Sequence, residues 1–103
     1  MSNTRHHAII VTTWDDAHIV TAWQKAEEIF GEDVTNIIVA KVNNTHSFMI
    51  GPDGSNDGWP ESAEGDARRQ QFKNWIRESK LHLHVVEVQY ADEEGRNYVK
   101  TVR

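Results

Sequence analysis

The stretch "HAIIVTTWDDAHIVTAWQKAEEIFG", His7 to Gly31, changes period midway, and that change decides the fold. Its first seven residues are a continuous apolar, β-branched run of strand length, suited to a central strand covered on at least one face. From Asp15 to Phe30 the apolar residues Ile19, Ala22, Trp23, Ala26, Ile29 and Phe30 recur at helical spacing. Thr13 with Asp16 three residues on reads as a capping box, and Gly31 supplies a stop. A strand therefore hands directly to an amphipathic helix.

Working outward, "TNIIVAKV", Thr35 to Val42, reads as a second strand, Asn43-Asn44 as a turn and "HSFMIG", His46 to Gly51, as a third strand. Phe72, Trp75 and Ile76 mark the inner stripe of a second helix from roughly Ala63 to Ser79, with Arg69, Lys73, Arg77 and Lys80 on its outer face. "LHLHVVEVQY", Leu81 to Tyr90, is a fourth strand, "DEEGRN" a turn, and "YVKTV", Tyr98 to Val102, a short fifth. Two striped helices in a βαββαββ order need one shared sheet face to bury their stripes. The expectation is a single α+β domain over residues 1–103: a two-layer plait resembling the ferredoxin-like architecture, antiparallel order 5-4-1-3-2, both helices on one face. Residues 1–6 are expected to be flexible and residues 51–66 to form a long acidic loop. That topology gathers Trp14, Asp15, Asp16, His46, His82 and His84 at one rim, and the acidic loop with Glu32, Asp33, His6 and His7 at the other.

Composition narrows the function. At 38% hydrophobic with four Trp, the chain of 103 residues is too apolar to be a disordered tail. Eleven Lys and Arg against sixteen Asp and Glu leave a net charge of -5, which disfavours a phosphate backbone as partner. The absence of cysteine removes disulfides, thiolate metal sites and cysteine nucleophiles. No run approaches the roughly 20 apolar residues of a membrane span, and "MSNTRHHAII" lacks the pattern of a signal peptide. A cytoplasmic location without membrane contact is the expectation.

Three patterns offer sites. In "GPDGSNDGWPESAEGD", Gly51 to Asp66, the residues Asp53, Ser55, Asp57 and Glu64 fall at positions 1, 3, 5 and 12 of a calcium loop, with Gly58 at position 6. Against that reading, a strand leads into the loop, Pro60 stands where a small strand pairing would need an N–H, and no second loop exists. An acidic connector feeding a helix N-terminus explains the same residues. His82 and His84 lie on one side of a strand and could complete a transition-metal set with His46, although their ordinary reading is rim histidines. Trp59 with Asp57 on the loop, and Trp14 on the opposite rim, are candidate contacts for a protein partner. The basic stripe on the second helix is read as solvated, and no nucleophile elbow or phosphate cradle occurs. The sheet carries more apolar residues than two helices cover, which points to homodimerisation through the free face or the edge strand.

"HHAIIVTTWDDAHI", "SFMIGPDGSNDGWPESAEGDARRQQFKNWI" and "VEVQYADEEG" together resemble a family of small uncharacterised proteins of bacteriophages and prophages, over nearly the whole chain. The resemblance implies a phage-encoded accessory protein binding a host or phage protein; it transfers no catalytic or binding residue. The function expected is a non-enzymatic interaction module without a cofactor, with calcium or a histidine-bound metal as the alternative.

Overall fold

The computed structural model describes residues 5–103. Strand β1 (His6–Thr13) leads into helix α1 (Asp16–Phe30), a 3-10 turn (Gly31–Asp33), β2 (Ile38–Val39), β3 (His46–Ile50), helix α2 (Pro60–Glu78), β4 (His84–Tyr90) and β5 (Tyr98–Thr101). The strands form one antiparallel sheet in the order β2-β3-β1-β4-β5, which is 5-4-1-3-2 read from the β5 edge. β1 is its centre, with Val11 opposite Phe48 on one side and Val85 on the other.

Alternation divides the residues of β1 between two environments. Ile9, Val11 and Thr13 are fully buried, and Ile9 and Val11 enter one cluster with Ile19, Ala22 and Ala26 of α1, Phe72 and Ile76 of α2, and Phe48 and Val85 of the flanking strands. Both helices therefore cover the same face. Each of the larger apolar side chains in this cluster contributes about 1.5–3 kcal/mol of transfer free energy. Among the described residues no helix is long and apolar enough to cross a membrane.

Of residues 1–6, expected to be flexible, residues 1–4 lie outside the described residues; His6 opens β1 opposite Tyr90 and Arg5 faces Asp57. Three local expectations are corrected. The cap of α1 is Asp15, whose Oδ1 accepts the N–H groups of Ala17 and His18 at 3.0 Å; Thr13 is committed to the ladder and its Oγ1 accepts the Asp15 N–H instead. The second strand forms a continuous ladder only at Ile38 and Val39; Thr35 and Ala40 add single backbone bonds, to the carbonyls of Met49 and Thr45. Thr35 Oγ1 accepts the Met49 N–H, and the Thr35 carbonyl accepts the Trp23 indole N–H at 2.9 Å. Helix α2 begins at Pro60, so the acidic loop ends at Trp59 and the segment 60–66 is helical. Proline at the first helical position has the right fixed φ and no N–H to leave unpaired, which makes Trp-Pro a start signal rather than a loop signal.

A fourth correction concerns the face of α2. The buried stripe is Ser62, Gly65, Arg69, Phe72 and Ile76, so Arg69, read as outward, lies inside at 6% exposure. Lys73 is half-buried beside it; Arg77 and Lys80 are exposed as expected.

Candidate functional site

Three regions hold the polar and aromatic residues singled out by the sequence. At the end of β1, Trp14 is 59% exposed and its ring stands 5.7 Å from that of His84 and 6.5 Å from that of His82. His82 stacks on His18 of α1 at 5.4 Å, while its backbone N–H donates to His18 Nδ1. The lone pair of that nitrogen is thus engaged. His46 does not join this group. It is buried opposite Thr13, whose side chain lies in the core, whereas His84 pairs with Thr12 and belongs to the other side of the sheet. The proposed trio His46, His82 and His84 is split by the sheet itself.

At the opposite end, the loop meets the start of β1 as the strand order requires. Asp53 Oδ1 accepts both the N–H and the hydroxyl of Ser55, at 2.9 and 2.6 Å, and its other oxygen faces Arg69 at 3.8 Å. Arg69 also donates to Asp66. Gly65 makes room for this arrangement: a Cβ there would stand 2.3 Å from Asp53 Oδ2. Asp57 pairs with Arg5 at 4.0 Å and Glu64 with Arg68 at 3.7 Å. Of the four residues spaced for calcium, Asp53 and Ser55 bond each other, whereas Asp57 and Glu64 each face a separate arginine. Among the described residues, no group of three or more His, Asp or Glu is arranged to hold a metal ion. Trp59, 47% exposed, caps this end as the residue before α2.

Sequence reasoning missed the charged corner between that loop and the sheet. Glu87 is 3% exposed on the helix-covered face of β4, and Lys73 Nζ donates to its Oε1 at 3.1 Å. His7, on the same face, lines a small cleft with Asp33, Asp53, Arg68 and Arg69 that has room for about one water. Its Nδ1 is buried and finds no hydrogen-bond partner among the described residues. Burial first, then the Arg69 guanidinium, holds the His7 imidazole below its ordinary range, against the pull of Asp66, Glu87 and Asp57. The Val85-Glu87 alternation was the available signal, since it sets a carboxylate on the apolar parity of β4.

A group whose native pKa is depressed is protonated first in the unfolded chain, so its contribution is present above the unfolded pKa and is lost as pH falls. For His7 the loss begins near pH 6.5 and levels off below its native value. Asp53, whose Ser55 hydrogen bonds and Arg69 overcome burial, adds a second loss below about pH 4, as do Asp15, held by the His18 N–H, and Asp92, held by the Arg96 N–H. Chemical denaturation at steps from pH 7.5 to 5 checks the first window. His7→Gln is expected to flatten it while leaving the second; an unchanged slope would acquit His7.

The third region is the sheet face that the helices leave open. β1 presents His6, Ala8, Ile10 and Thr12 there, and Ile10 lies opposite Met49 on one side and Val86 on the other. Val88 pairs onward to Val99, and Ile38 with Ser47 completes the far edge. By alternation, no Asp, Glu, Lys or Arg of the five strands points to this face. Ile10 and Met49 are each 37% exposed, Ile38 65% and Val99 68%. Trp14 shares the parity of Ile10, so the exposed indole extends the same surface at its rim.

No protein-family model, curated protein or solved structure matches this chain. The site must be read from its own chemistry.

Proposed function

We propose that the chain is a non-enzymatic protein-interaction module, built as a plait of the ferredoxin-like kind, whose contact surface is the open sheet face ending at Trp14. One observation carries the reading. In a chain with 27 charged residues among 103, the five strands turn none of them to that face, and they leave large apolar side chains exposed there. A surface free of Asp, Glu, Lys and Arg, apolar at Ile10, Met49, Val86, Val88 and Val99 and carrying hydroxyl and imidazole groups between these and the exposed Trp14, suits a protein partner. The resemblance to phage and prophage proteins supports an accessory role in the bacterial cytoplasm, with a host or phage protein, a second copy of this chain included, as partner. A net charge of -5 keeps such a module away from nucleic acid.

Capture from a lysate of the source cells by the immobilised full chain tests this reading. Trp14→Ala and Met49→Lys are each expected to lower the captured partner at least about tenfold, the equivalent of 1.4 kcal/mol, with circular dichroism unchanged. Trp59→Ala, at the other end, is expected to leave capture intact. If only Trp59→Ala abolishes capture, the contact belongs to the loop and the open face is not the binding surface.

A further inference from the structure

Resting on the reading of the open face as a contact surface, we propose that its occupant is a second copy of this chain, packed sheet against sheet. Two properties favour a copy over a charged partner. The chain carries a net charge of -5, so two copies repel each other when they meet through surfaces rich in carboxylates. The sheet face escapes that repulsion, because it brings no formal charge of one chain against its own duplicate and leaves no charged group desolvated. A basic partner would instead be drawn to the acidic remainder of the surface.

The size of the face agrees. Strands about 4.8 Å apart, rising about 3.3 Å per residue, make five strands of these lengths a patch of roughly 24 by 17 Å. Two such faces cover about 800 Å² in projection, and more over the corrugated side chains and the Trp14 rim, which is the size of a weak, reversible interface. The arrangement is isologous, the same patch serving both copies, as closed two-fold symmetry requires. Ile10 of the central strand lies near the middle, and Ile38 and Val99 stand at the two edges.

Sedimentation equilibrium at about 100 μM, well above the micromolar Kd that a small interface allows, is expected to give twice the chain mass of 11.8 kDa. Ile10→Glu is expected to give the single mass with an unchanged far-ultraviolet spectrum. Should Ile10→Glu fail to fold, Met49→Lys and Val99→Glu, on β3 and β5, serve the same purpose from positions less central to the ladder. A second measurement uses the lack of cysteine: Ile10→Cys is expected to give a dimer with a short bismaleimide, whereas Glu28→Cys, on α1, is not. A single-mass wild type, or a double mass that survives the open-face substitutions, overturns the second copy. The broader reading fails separately, when lysate capture is indifferent to Trp14→Ala and Met49→Lys.

Discussion

Lys73→Met lowers the stability of the domain at pH 7 by about 3–5 kcal/mol, the cost of leaving a buried carboxylate without its cation. Glu87 is 3% exposed and the Lys73 ammonium lies 3.1 Å from it, so removing the charge while keeping the apolar stem isolates the electrostatic loss. For a domain near 100 residues this is a fall in Tm of order 12–30 °C. Lys73→Met with Glu87→Leu removes both charges and restores most of the loss. A single-variant loss below about 1 kcal/mol would show that the pair is solvated and the corner is not a structural element.

Phe72→Ala is the second large effect, about 3–5 kcal/mol by guanidinium melting. Phe72 is fully buried where the two helices meet, edge-on to Phe30 at 5.7 Å and stacked on Trp75 at 6.1 Å, so truncation leaves a void bordered by rings that cannot collapse into it. With a total stability of order 5–15 kcal/mol, the variant sits near the edge of folding at 37 °C. Phe72→Leu, which refills most of the volume, is expected to lose less than half as much. Equal losses for the two would mean that ring geometry rather than volume matters at this position.

The architecture was legible because its signals are local. The β-branched run before Trp14 and the helical recurrence from Ile19 to Phe30 lie within one stretch, and the alternation of β4 places Leu83 and Val85 together. Arg69 was misread because charged residues default to the outside, and because the first half of the buried stripe is Ser62 and Gly65, which carry no apolar signal. Its ion-pair partner Asp53 lies beyond a turn, sixteen positions earlier. The same holds for Glu87, whose partner precedes it by fourteen residues on another element. The second strand looked longer than it is because propensity at Thr35 to Val42 says nothing of how many partners an edge offers. Of the candidate sites, the sorting of residues to two ends followed from strand order alone. The open face needed the register, since only alternation across all five strands shows that charge is missing from it.

The central position of β1 also governs how the chain is made. Its ladder with β4 joins the ninth to the eighty-seventh residue, so at 5–20 residues per second the ribosome releases β1 about 4–16 s before its second neighbour exists. During that interval α1 can shield Ile9 and Val11, but the far side of the strand, Ala8 and Ile10, stays bare, and the nascent sheet is at its most adhesive before its fourth strand arrives.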